Sequence, residues 1–304
     1  MVDIPGILKP RTISDILVDD GVKPGVYRGV PTDKHHARRR MSPSSLASGI
    51  LSHKEVDPSS IRQAWEEGFE FSPAQQDRMD RGTLAGYMLT QPERLATDVA
   101  IWTGGDRKGA LWDAFQAEHA AKLIVRKKDF ETVSYACSQF RFNREIVSLL
   151  SEVDVEVEML TKEGRIFCSG QVDIITRGPI RKIIDLKTTD AGITERSVER
   201  TIREMCYREK MAAYKYWYER ESGEEVFKCC NLFLKLTKPL AIRLVEFETV
   251  SLQWGYARIQ EALESVDKCL ARNEWPIYMA KDTCGVAPFE MDEADDITFD
   301  GETV

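Results

Sequence analysis

The sequence changes period at Val153. From there apolar and polar residues alternate in twos through "VDVEVEMLT"; "RIFCSGQVDII" follows the turn "KEG", and "IRKIIDLKT" follows "TRGP". Three successive strands joined by turns this short make an antiparallel meander. Helical spacing then returns and predicts one long helix from about Glu195 to Glu221, with Val198, Ile202, Cys206, Ala213 and Trp217 on one stripe. Two more strands, "CCNLFLKLT" and "AIRLVEFET", precede a helix from about Leu252 to Arg272. This order predicts an α/β (α+β) fold: a central mixed sheet flanked by helices, with a helical region ahead of it.

That helical region begins near Ser42, a helix N-cap with Pro43 in the first turn. It continues through "SSIRQAWEEGF", "PAQQDRMDRGTLAGYMLT", "ALWDAFQAEHAAKLIV" and "FETVSYACSQFRFNREIVSLL". Residues 1–40 lack periodicity and read as an extended arm, 41–288 as a single domain, and 289–304 as an acidic, disordered tail. With 304 residues the chain can bury a sizeable core.

Charge sharpens the reading once it is mapped. The net charge is -8, but the stretch from Glu290 to Val304 holds seven acids and no base, so the remainder is close to neutral. Basic clusters lie within that remainder: "KHHARRR" at Lys34 to Arg40 and "RKK" at Arg126 to Lys128. Each is either a phosphate contact or a solvated surface run. No apolar run reaches the roughly 18 residues of a membrane span. The acidic, proline-containing start is unlike a secretory signal, which points to a cytoplasmic protein. Seven cysteines without a C-x-x-C read as reduced, buried small hydrophobes. Cys269 and Cys284 stand too far apart for the clustered triplet of an iron–sulfur nuclease.

The meander also carries the chemistry. Asp173 and Asp185 fall near the ends of successive strands, and a turn around Gly178 and Pro179 would bring both to one end of the sheet. Two carboxylates held together repel in a partly desolvated site, and a divalent cation with hard oxygen ligands, Mg²⁺ or Mn²⁺, relieves that cost. Residues two apart share a strand face, so Lys187 emerges beside Asp185. There its ammonium can orient or help deprotonate water and offset charge on a phosphate. The commonplace alternative is a solvated Asp–Lys pair; "II" directly before Asp185 reads instead as a buried strand that surfaces at its end.

From about Ser42 to Pro276 the chain resembles the RecE or exonuclease VIII group of PD-(D/E)XK nucleases, related to RecB-type and lambda-type exonucleases. The resemblance rests on the order and spacing of "SPSSL", "DRGTLAGYMLTQPERL", the strand with Glu156 and Glu158, "CSGQVDII", "IIDLKTT", "CYREKMAAYKYWYE" and "NEWP". It implies a PD-(D/E)XK core, with Asp173 and Asp185 as metal-binding acids, the Leu186 carbonyl as a further ligand and Lys187 as the catalytic lysine. Glu158, or less favourably Glu156, would be an outer carboxylate, and Tyr214 matches an aromatic on the helix after D-x-K. It further implies a Mg²⁺-dependent exonuclease acting 5′ to 3′ on duplex DNA ends, a ring-like homo-oligomer, and a single-strand annealing partner in phage-type recombination.

Three positions depart from the pattern. Gly86 stands where a helix of the form G-T-x-x-H carries a metal-binding histidine, Lys210 replaces a glutamine, and Gln171 replaces an arginine two residues before the first Asp. Lys210 falls on the apolar stripe, so it either snorkels to the rim or points into the site, where it could supply the phosphate contact that Gln171 does not. The departures also support a second reading, a nuclease-fold protein that binds DNA ends or a partner and cuts weakly.

Overall fold

In the computed structural model, which describes residues 11–52, 55–68 and 71–276, the alternating segments from Val153 form the middle of a six-stranded sheet. Its strands are β1 (Gly25–Tyr27), β2 (Val153–Glu163), β3 (Ile166–Thr176), β4 (Lys182–Thr189), β5 (Lys228–Lys235) and β6 (Ala241–Glu246). They lie side by side in chain order. The expected antiparallel meander is β2, β3 and β4. β5 then runs parallel to β4, and β1 and β6 pair antiparallel at the two edges, so the sheet is mixed.

Helices cover both faces. Those used below are α1 (Thr32–Ala37), α2 (Pro43–Ser48), α3 (Pro58–Glu66), α4 (Pro73–Thr90), α5 (Lys127–Phe140), α6 (Glu195–Glu204), α7 (Tyr207–Ser222) and α8 (Thr249–Arg272). Adjacent residues of β4 divide between two cores, as the strand period of two requires. Ile183 packs with Met211, Trp217 and Ile259 on the α7 and α8 side, while Ile184 packs with Leu84, Val133 and Leu232 on the α4 and α5 side.

Local chemistry sets many helix starts. Ser42 accepts a hydrogen bond from Ser45 N–H at 3.0 Å, with Pro43 opening α2, and Ser72 forms a reciprocal capping box with Gln75 ahead of Pro73 in α4. Elsewhere the structure corrects the periodicity. The long helix after β4 is two helices, because Cys206 takes a left-handed φ of 49° between α6 and α7. "ALWDAFQAEHAAKLIV" splits into a helix at Ala110–Glu118 and a strand at Leu123–Arg126 that pairs in parallel with Val99–Trp102. A four-residue aliphatic run carries too little periodicity to separate strand from helix. "FETVSYACSQFRFNREIVSLL" breaks where the Asn143 side chain caps a second short helix, Arg144–Leu149.

Residues 11–40, read as an extended arm, contain a 3-10 turn at Ile13–Leu17 with Ile13 and Ile16 buried, the edge strand β1, and α1. The acidic stretch from Glu290 to Val304 and Cys284 lie outside the described residues. The other six cysteines are free thiols. No helix among the described residues is long and apolar enough to cross a membrane.

Candidate active site

The β3–β4 ladder is short. Ile174 pairs with Ile184 and Ile175 with Ile183, and the next register position sets Asp173 opposite Asp185. At that point a side chain replaces the ladder: the Leu186 N–H donates to Asp173 Oδ2 at 2.7 Å. β4 meanwhile stays paired with β5 as far as Thr189, so the sheet opens between β3 and β4.

A change of face accompanies the opening. Val155 and Ile174 pack in the α4-side core, whereas Val157 and Val172 pack in the α7-side core, although residues two apart on a regular strand share a face. Between them lie Glu156 and, opposite it in the β2–β3 register, Asp173. Glu156 absorbs the turn with a φ of 48°, in the left-handed region that non-glycine residues seldom occupy. Local backbone strain of this kind is held only where surrounding structure enforces it.

Asp185 and Lys187 lie on the α7 side with Ile183, and Lys187 Nζ is 2.5 Å from Asp185 Oδ2. Burial would lower the Lys187 pKa, but the Asp185 carboxylate, the Tyr207 phenol and Asp173 outweigh it, so the ammonium is held firmly. Lys187 is therefore a fixed cation and a poor base. Asp173 is shifted upward, first by crowding from the surrounding protein and then by the Asp185 charge. Its surface area shows that water still reaches it at the mouth of the cleft. Solvent access moderates that shift without changing its sign.

Two helices close on the opening from opposite sides. From α7, the Tyr207 ring lies between two ammonium groups, 4.7 Å from Lys187 Nζ and 5.6 Å from Lys210 Nζ to its centroid. Lys210 thus points into the site, and burial followed by repulsion from Lys187 lowers its pKa. Burial keeps the Tyr207 and Tyr214 phenols neutral. Tyr214 packs so closely on β3 that a Cβ at Gly170 would come within 3.0 Å of its ring. From the other side, α4 crosses β4 through its glycines: a Cβ at Gly86 would sit 4.0 Å from Leu186 Cδ1, and one at Gly82 3.0 Å from Thr188 Oγ1. Position 86 therefore faces the residue between Asp185 and Lys187.

The remaining sequence candidates have other partners. Glu158 is fully buried between Val157 and Met159 of the α7-side core and so projects to the opposite sheet face. There Arg38 grips it from both ends, Nε to Oε1 at 2.7 Å and Nη2 to Oε2 at 2.8 Å, and His35 Nδ1 lies 2.8 Å from Oε1. Burial would raise its pKa, but His35 and Arg38 outweigh it and hold the carboxylate below the ordinary range. Glu156, the less favoured of the two in the sequence, is the one opposite Asp173, and it accepts from Arg94 Nη1 at 2.5 Å. Gln171 donates Nε2 to the Val30 carbonyl at 2.7 Å, fixing the arm.

Sequence reasoning missed the role of "KHHARRR". Besides the bonds of His35 and Arg38 to Glu158, Arg39 pairs with Asp15 and Arg40 with Asp20, so much of the cluster's charge is spent within the protein. Partner acids 20 or more residues away give no local signal. By contrast Lys127 and Lys128 of "RKK" are exposed, and Arg126 pairs with Asp77 at 3.2 Å.

A family profile described as a PDDEXK-like domain of unknown function (DUF3799) matches residues 33–287. The chain belongs to this family. Among solved structures, a candidate exonuclease from Eubacterium rectale superposes with a TM-score of 0.53 at 12% identity, covering 85% of this chain and 94% of that one. At that identity the likeness shows the PDDEXK-like fold alone. A phage-related exonuclease from Haemophilus somnus covers 77% of this chain and 96% of its own at 11% identity, with a TM-score of 0.36 that carries no argument. Comparison with curated proteins gives no match.

Nucleases of the PDDEXK fold generally use divalent metals. Among the described residues no three His, Cys, Asp or Glu side chains converge on one point. Two carboxylates, Asp173 and Asp185, meet at the opening, and a cation relieves repulsion between such a pair. Mg²⁺ commonly takes one or two carboxylates and keeps several waters, so this PDDEXK-like site suits a hard cation of that kind.

Proposed function

We propose that this chain is a Mg²⁺- or Mn²⁺-dependent DNA exonuclease that hydrolyses phosphodiesters from duplex ends, 5′ to 3′, in phage-type recombination or repair. The observation that carries the reading is Asp173 opposed to Asp185 where the sheet opens, with Lys187 2.5 Å from Asp185. Asp173, Asp185 and the Leu186 carbonyl would hold the ion, which supplies Lewis acidity and a nucleophile at neutral pH. Lys187, kept charged by its neighbours, stands where negative charge grows on a phosphate. Lys210 adds a second cation from α7, in keeping with a phosphate contact that Gln171, bonded to Val30, does not make. Polarity, the ring-like homo-oligomer and the annealing partner rest on the RecE resemblance.

Digestion of linear duplexes with 5′-phosphate, 5′-hydroxyl or blocked ends, comparing the wild type with Asp173→Ala, tests the proposal. Mg²⁺- or Mn²⁺-dependent shortening lost in the variant is expected; duplex left intact in both metals refutes it. The commitment of Gln171 to Val30 and the glycine at 86 favour a second reading, a DNA-end binder that cuts weakly. Calorimetry separates them: DNA binding without Mg²⁺ or Mn²⁺ binding supports the binder.

A further inference from the structure

We propose that Asn231 is a positioning residue of the acid pair, its amide fixing the Asp185 carboxylate through a bridging water in the orientation a cation needs. The inference rests on the metal-site reading above. In the parallel β4–β5 register Asn231 lies directly beside Asp185. The flanking pairs fix the face: Ile183 and Cys229 belong to the α7-side core, Ile184 with Cys230 and Leu186 with Leu232 to the other. Asn231 and Asp185 therefore point together toward α7.

Asn231 is an anomaly where it stands. Its side chain is fully buried, and neither Nδ2 nor Oδ1 has a hydrogen-bond partner among the described residues. From Cys229 to Leu234 every other residue of β5 is apolar, as a strand covered on both faces demands. An unpaired buried amide costs stability, and buried polar groups of this kind are satisfied by water or an ion. On its β6 side it meets Val245, which offers no side-chain partner. On the β4 side it meets Asp185, of which Oδ2 is engaged by Lys187. An amide can donate toward that carboxylate without adding a third negative charge, which a carboxylate at 231 would do.

The test measures Mn²⁺ affinity by calorimetry and metal-free Tm for wild type, Asn231→Leu, Asn231→Ala and Asp185→Ala. We expect Asn231→Leu to leave the metal-free protein folded with a cooperative melt, yet to weaken Mn²⁺ binding about 10- to 100-fold. Asn231→Ala should show the same loss of affinity, which keeps the test alive if the leucine variant does not fold. Wild-type affinity in both Asn231 variants, with binding lost in Asp185→Ala, overturns this inference and leaves the proposed function standing. A wild type that binds no Mn²⁺ overturns both.

Discussion

Asp173 and Asp185 face each other at the first β3–β4 register position beyond the last ladder pair, and the bond that spans the strands there runs from the Leu186 N–H to the Asp173 carboxylate. One carboxylate therefore both ends the ladder and lines the cleft that results. Two acids brought together in this way repel one another, and each charge favours a nearby cation.

Removing either acid should abolish cleavage while leaving the fold in place. Asp185→Ala and Asp173→Ala are expected to lose at least about 1,000-fold in rate, the order seen when a group that stabilises developing charge is deleted. Initial rates on a linear duplex, with circular dichroism as the folding control, check this.

Without metal, Asp173 should cost stability at neutral pH. Its pKa is raised in the folded state, so between the ordinary carboxylate value and the raised one the unfolded chain has lost the proton that the folded chain keeps, and stability falls as pH rises through that window. Asp173→Asn should melt about 2–4 °C above the wild type at pH 8, equivalent to roughly 1 kcal/mol after allowing for solvent access, and level with it at pH 4. Adding Mn²⁺ should reverse the order, since only the wild type gains from binding. Thermal melts with and without chelator read both effects.

Lys187 should act by charge. Its ammonium is held by Asp185, so the pH–rate profile should show no limb from lysine deprotonation near neutrality. Lys187→Gln is expected to lower kcat about 100-fold, a loss of the order found for one charge-stabilising donor. Mn²⁺ affinity, followed by calorimetry, should be retained.

Position 86 should accept a metal ligand. A Cβ there meets only Leu186 Cδ1, at 4.0 Å, so Gly86→His places an imidazole toward the residue between Asp185 and Lys187 without a backbone clash. Mn²⁺ affinity should rise about tenfold, or roughly 1.4 kcal/mol. Gly86→Ala, measured beside it, should leave affinity unchanged.

Glu158 should prove structural. Its two oxygens are taken by Arg38 and His35, so Glu158→Gln is expected to destabilise the protein by about 3 kcal/mol, the scale of a broken buried pair, with Mn²⁺ affinity unaltered. Because the Glu158 pKa is depressed, the stability it confers is present above the ordinary carboxylate value and is lost as pH falls through the folded one. Urea melts across acid pH in wild type and variant measure it.

The meander, the capped start of α2 and the D-x-K strand were legible because each depends on neighbours within a few residues. The break at Cys206 was not, since no glycine marks its left-handed backbone. That Glu156 and not Glu158 stands opposite Asp173 was not legible for a related reason: strict alternation is the only guide a sequence offers, and the turn of the strand at Glu156 changes which face each side chain meets.

By itself the sequence determined the β2–β3–β4 meander, the two strands that follow it, the mixed sheet and the candidate residues Asp173, Asp185 and Lys187, because strand period and short turns are local properties. Only the tertiary structure decided that the sheet opens at Asp173, that Lys210 points inward beside Tyr207, that the arginines of "KHHARRR" are spent on Glu158, Asp15 and Asp20, and that Asn231, beside Asp185, has no hydrogen-bond partner for its side chain among the described residues. Each of those depends on groups far apart in the chain, whose charges and hydrogen-bonding atoms meet only when the strands and helices are packed.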